Sequence, residues 1–165
     1  MEYNLAKTLP EFYKAFNIIS KIGNYYPNFT SWYFDKVIPG VCLENDKIII
    51  AKHKNEIIGV SIIKDTPHEK KLRAIRIEDK FQKRGYGLYL IDHSLKLLNT
   101  DKPNLSVPEE MINEYSRIFI NKYKFNLDMV HKGIYRKNKL EYEFNGKNIL
   151  LPKQNINYGI GKLYE

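Results

Sequence analysis

The run Gln82-Lys83-Arg84-Gly85-Tyr86-Gly87 sets two glycines one residue apart behind two cations, and an apolar stretch from Leu88 to Ile91 follows at once. The chemistry this arrangement suits is the holding of a phosphate. A strand that feeds a helix through a short turn exposes backbone N–H groups at the helix start. Those donors and the positive end of the helix dipole together attract an anion. Glycine permits positive φ and removes the Cβ that would hold a phosphate off, and Gly85 and Gly87 stand where this geometry is needed. Lys83 and Arg84 add longer-range attraction. A Walker loop would need Gly, four residues and then Gly-Lys-Ser/Thr, which does not occur here. A dinucleotide fingerprint would need a third glycine where Leu90 stands.

Other reactive side chains are less organised. The four histidines, His53, His68, His93 and His131, lack metal-ligand spacing, so no metal is expected. The single Cys42 cannot form an internal disulfide; it reads as a small buried hydrophobe, and a reducing cytoplasm as the compartment. The net charge of +8 favours an anionic ligand or partner, but the cations are dispersed and form no nucleic-acid tract. The thirteen tyrosines are scattered, with no RNA-binding sheet pattern. No stretch approaches the ~20 apolar residues of a membrane span, and no basic leader with an apolar core opens the chain.

The elements that must position the loop follow from periodicity. "EYNLA" suits a short strand. "TLPEFYKAFNIISKIG" predicts a helix, with Thr8 and Glu11 at capping-box spacing, Pro10 in the first turn and Gly23 at the end. "NFTSWYFDKVIPG" predicts a second short helix that stops before Pro39. "KIIIAKH" and "EIIGVSIIKD" flank a tight turn and read as a hairpin, and "KLRAIRIED" as the next strand. After the loop, Leu88, Ile91, Leu95 and Leu98 mark one face of a helix. "NLSV" is a short strand. "PEEMINEYSRIFINKY" is a helix begun by a proline and two acids, and "FNLDMVHKGIY" and "LEYEFNG" are two closing strands. The whole predicts one domain over residues 1–165. Its fold class is α/β (mixed α+β), with a central mixed, mostly antiparallel sheet of about six to seven strands flanked by about four helices.

In this context Gln82 to Gly87 matches the pattern Gln/Arg-x-x-Gly-x-Gly/Ala, and the chain resembles the GCN5-related N-acetyltransferase (GNAT) family. "NEYSRIFINKYKF", with Asn113, Ser116, Phe119, Ile120, Lys124 and Phe125, resembles a second family segment. The resemblance spans about residues 45–145 and implies an acetyl-CoA cosubstrate. The backbone N–H groups of Gln82, Lys83, Arg84, Gly85, Tyr86, Gly87 and Leu88 would then hold its pyrophosphate. The strand backbone at Ile75, Arg76 and Ile77 would bind the pantetheine arm, with Asn113 a further contact. The tyrosine that commonly protonates the departing thiolate falls on Ile120, and the usual glycine on Lys124. Tyr123 is the expected substitute and Tyr115 the alternative. The family's carboxylate falls on Lys71, which leaves Glu69, two residues earlier, as the expected base. Glu78, Glu109, Glu110 and His68 are alternatives.

The implied activity is direct transfer of acetyl to an amine. Across the family acceptors include polyamines, antibiotics, protein N-termini, lysines and aminoacyl-tRNA; the basic surface slightly favours tRNA or an acidic protein. The expected state is a cytoplasmic protein, with a homodimer compatible. A non-catalytic acyl-CoA-binding or nucleic-acid-associated module is the rival reading.

Overall fold

The centre of the molecule is built from strands whose side chains are buried on both sides. Ile48, Ile50, Val60 and Ile62 point into one core; Ile49, Ala51, Ile58 and Ile63 point into the other. Strand β2 (Asp46–His53) therefore reads as a continuous apolar run rather than an alternating one. The computed structural model describes residues 1–146; the end of the expected domain, residues 147–165, lies outside the described residues.

Strand β1 (Glu2–Leu5), β2, β3 (Glu56–Asp65) and β4 (Lys70–Ile77) form one antiparallel sheet in the order β1-β2-β3-β4. Lys54 and Asn55, both at positive φ (50° and 64°), make the two-residue turn of the β2–β3 hairpin. A second antiparallel sheet has the order β5-β7-β6, from β5 (Leu105–Pro108), β6 (Leu127–Lys132) and β7 (Leu140–Phe144). Among the described residues seven strands are thus split four and three, and the expected single sheet is joined by one parallel bridge, Lys71 to Asn104. There Leu72 N–H donates to Asn104 C=O at 2.9 Å, and Asn104 N–H to Lys70 C=O at 2.8 Å. Beyond it β4 and β5 diverge.

Helix α1 (Leu9–Ile19) carries the predicted capping box, with Thr8 N–H donating to Glu11 Oε2 at 3.0 Å. It covers one face with α2 (Phe29–Trp32) and α3 (Ile38–Cys42), which a wide turn at Tyr33–Val37 joins. The second helical segment thus continues through Pro39 instead of stopping before it. Ile38 N–H bonds Tyr33 C=O in that wide turn, and Pro39 occupies the first turn of α3, where its missing donor is not needed. Cys42, at the end of α3, is exposed rather than buried.

Helix α4 (Tyr86–Leu98) covers the other face and buries Leu90, Ile91, Ser94 and Leu98. Leu88 and Leu95 are only half-buried, because the helix axis turns the stripe by one position and a Ser61–Ser94 hydroxyl pair (2.9 Å) sits at its centre. Helix α5 (Ile112–Ser116) begins four residues later than the acidic signal predicts and runs on as a wide turn to Lys122. Pro108 closes β5 instead, and Glu109 and Glu110 are drawn to Lys139 and Arg136 rather than to a helix dipole.

Candidate active site

The divergence of β4 and β5 has a local cause. Ile62 pairs with Ala74 and Ile63 with Leu72, so Arg73 is an extra residue, a β-bulge. Arg73 and Ala74 consequently face the same side. Arg73 bonds the buried Asp46 carboxylate at 2.7 Å and lies 4.9 Å over the Trp32 ring, while Ala74 packs with α1. Leu72 and Ile75 both face the other core. Glu78 N–H donates toward β3, to Ile58 C=O at 2.9 Å. By alternation, the N–H groups of Ile75 and Ile77 face the open side, where β4 has no strand partner among the described residues.

The opening is a cleft of about 440 Å³, walled by β4 from Leu72 to Ile77, by β5, by the glycine loop and by α5. At its loop end Gly85 adopts φ +82° and caps α4. Gly87 lies inside the first helical turn, so the positive φ belongs to Gly85 and Gly87 serves only close approach. A Cβ on Gly85 would meet nothing within 4 Å, and one on Gly87 only Ile77 at 3.7 Å. Leu88 N–H already bonds Gly85 C=O. Among the described residues the N–H groups of Gly85, Tyr86 and Gly87 make no backbone hydrogen bond, as the start of a helix requires.

The other loop residues divide by role. Gln82 acts through its side chain: Nε2 donates to Ile77 C=O at 2.9 Å and ties the loop to the β4 edge. Lys83 lies in the cleft wall at positive φ (59°). Tyr86 turns to Phe81 and His53, and neither it nor Arg84 is in the wall. Arg76 is in the wall; its guanidinium pairs with Asp79, and its Nε is buried without a partner.

Helix α5 and the residues on either side of it present Met111, Glu114, Tyr115, Ile118 and Phe119 to the cleft. Asn113 and Ile120 fall on its outer side; both are exposed, Ile120 to 40%. Tyr123 is not in the wall either. Its hydroxyl donates to Asp92 at 2.6 Å, and burial followed by that carboxylate raises its pKa. Tyr115 is the α5 phenol that reaches the cleft; it stacks on Phe119, and burial raises its pKa.

The acids named from the sequence are tied to cations and lie outside the wall. Glu69, in the β3–β4 turn at the closed end of β4, pairs with Lys64 at 2.7 Å. Glu78 pairs with Lys21 at 3.0 Å, Glu109 with Lys139 at 2.6 Å and Glu110 with Arg136 at 2.7 Å. The sequence did not single out the far end of the cleft, where Tyr25 and Tyr26 follow α1 and Ser106 lies on β5. Behind them Glu141 of β7, only 3% exposed, accepts a hydrogen bond from Tyr26 Oη at 2.7 Å. Desolvation raises the Glu141 pKa; hydrogen bonds from Tyr26 and Ser106 oppose the rise. The alternation in "LEYEF" places Glu141 opposite the apolar face of β7, but nothing local says that Tyr26 covers it.

No family model and no curated protein matches the sequence. Solved structures match its fold. A chimeric Vibrio cholerae spermidine N-acetyltransferase superposes with a TM-score of 0.64 at 14% identity, over 87% of this chain and 95% of that one. A GNAT-family acetyltransferase from Elizabethkingia anophelis, with acetyl-CoA bound, gives 0.59 at 15% identity over 87% and 95%. A Bacillus subtilis acetyltransferase in complex with CoA gives 0.58 at 18% identity over 86% and 96%. The chain has the fold of the GNAT acetyltransferases. No helix among the described residues is long and apolar enough to cross a membrane, and no group of three or more metal-binding side chains occurs among them.

Proposed function

We propose that the protein is an acetyl-CoA-dependent N-acetyltransferase acting on an amine by direct attack. The observation that carries this is the wedge between β4 and β5. It leads without interruption from unpaired N–H groups at the start of α4 to unpaired N–H groups along β4. An anion fits the first set and an extended amide-bearing arm fits the second as an added strand. The open space beside Gly85 and Gly87 suits a phosphate group, and the apolar wall suits the arm. The fold's likeness to structures holding CoA or acetyl-CoA supports the same reading.

Acetyl-CoA, when bound, supplies an activated acetyl thioester. Gly85, Tyr86 and Gly87 would hold its pyrophosphate, and Ile75 and Ile77 its pantetheine arm. The fixed donors orient the reacting partners and cost no reorganisation during reaction. Tyr115 keeps its proton at neutral pH, because burial disfavours the phenolate, and can deliver it inside the cleft.

The test has two readouts. Acetyl-CoA at ~100 times its dissociation constant should stabilise the fold by about 2.7 kcal/mol in a thermal or chemical denaturation series. Thiol release should follow with at least one member of a panel of polyamines, peptides and charged tRNA. An unshifted transition would rule out the coenzyme site; binding without turnover across the panel would leave a coenzyme-binding module.

A further inference from the structure

We propose that Glu141 is the terminal proton acceptor for the acceptor amine, reached through the hydroxyl of Tyr26. This rests on the acetyltransferase reading above. An ammonium must lose a proton before its nitrogen can attack a carbonyl carbon. The four glutamates nearest in sequence to β4 and β5 are engaged by lysine or arginine. Glu141 differs from them in partner and in place. Its Oε1 accepts from a phenol at 2.7 Å, it is almost wholly buried, and that phenol is part of the cleft wall.

Buried carboxylates are costly, and an apolar residue of similar size would serve packing better. A buried carboxylate aimed at a wall hydroxyl makes chemical sense as a proton sink. The step balances. As the acceptor N–H bond breaks, the Tyr26 oxygen takes that proton and releases its own to Glu141 Oε1. The nitrogen keeps the lone pair for attack. Tyr26 is neutral before and after, as its strongly raised pKa, caused by burial and then by the Glu141 charge, requires. Tyr26 would touch the acceptor; Glu141 acts through it and is a positioning residue.

The groups around Glu141 tune it in both directions. The hydroxyls of Tyr26 and Ser106, and the Arg136 guanidinium, favour the carboxylate; desolvation and the Glu110 charge disfavour it. Tyr135 packs edge-on against Tyr26 at 5.2 Å and shares Ser106 with it. His131, the strand partner on β6, is 2.8 Å from Glu143, and Pro108 is the partner on β5. Burial makes Glu141 a stronger base than an exposed glutamate.

The experiment compares wild type with Glu141→Gln, Glu141→Asp and Tyr26→Phe. All four should show the same acetyl-CoA stabilisation. Glu141→Gln should lower kcat/KM by about 10²- to 10⁴-fold and abolish the acid limb of its pH profile, with partial recovery in Glu141→Asp. A second readout needs no turnover. In ¹³C-carboxyl NMR, the signal absent from Glu141→Gln should titrate above the ordinary glutamate range of about 4.3 and shift in Tyr26→Phe. A Glu141→Gln enzyme with wild-type kcat/KM and pH profile overturns this proposal alone. So does a Glu141 signal that titrates normally and ignores Tyr26→Phe. A wild type that does not bind acetyl-CoA overturns the parent reading and this one with it.

Discussion

At the loop end of the cleft the wall comes from one stretch, Ile77 to Leu88, whereas at the far end Tyr26 and Ser106 of the wall, with Tyr135 and Glu141 behind them, come from four separate segments. The loop end works through main-chain donors, and side-chain identity matters mainly where a Cβ would intrude. The far end works through side chains, and two strands, a loop and a post-helical turn must all be in place before it exists. The proposed anion site is thus coded locally, while the proposed proton-handling site in the same cleft is a property of the whole fold.

The largest expected effect tests how far the cleft depends on its supports. Asp46→Ala leaves Arg73 without its buried carboxylate at the bulge. Removing one partner of such a pair should lower stability by about 3 kcal/mol in urea unfolding. If the bulge shapes the cleft, acetyl-CoA affinity should fall as well; unchanged affinity would uncouple the two.

The two glycines should fail in different ways. Gly87→Val has room in the fold, so it should keep its stability and lose the ligand-induced gain of about 2.7 kcal/mol. Gly85→Val forces a β-branched residue to φ +82° and should cost about 1–3 kcal/mol of stability with no ligand present. Paired thermal scans with and without acetyl-CoA separate them, and identical behaviour would contradict their distinct roles.

Next come the two tyrosines of the α5 segment. Tyr123→Phe gives up its bond to Asp92 and should lose about 1 kcal/mol of stability with little change in turnover. Tyr115→Phe should do the reverse, lowering thiol release with stability nearly intact. A turnover loss in Tyr123→Phe alone would move the acid role out of the cleft wall.

The smallest effect is a pH dependence at the surface. Arg136 holds Glu110 down, to about 2. A carboxyl depressed on folding stabilises the protein above its unfolded pKa, and that contribution is lost as pH falls toward the folded value. The melting temperature of wild type should therefore exceed that of Glu110→Gln at pH 7. The gap should close between pH ~4.5 and pH ~2 and shrink in high salt.

Most of the strands and the glycine loop were legible because their signals are local. Thr8 and Glu11 mark a helix start, β-branched runs mark strands, and two glycines before an apolar run mark a helix entry. Expectation failed where a wide helical turn intervened. In the α2–α3 segment it carries the helix past Pro39. Tyr115 lies on the cleft face of α5 and Asn113 on its outer face; after α5 a similar turn changes the residue count and carries Ile120 and Tyr123 out of the cleft wall. The placing of β7 between β5 and β6, which buries Glu141 beneath Tyr26, depends on pairings between distant residues that no short motif announces.

The extra residue in β4 is, in effect, a parity switch. Before Arg73, the even-numbered Leu72 directs its amide to the neighbouring sheet; after it, the odd-numbered Ile75 and Ile77 turn theirs to the same side, into the open cleft. Deleting Arg73 would restore unbroken alternation, with Leu72, Ile75 and Ile77 following one another as outward amides, and let β4 run on beside β5. The mouth of this protein is thereby set by arithmetic: one residue more than the sheet can use keeps it open.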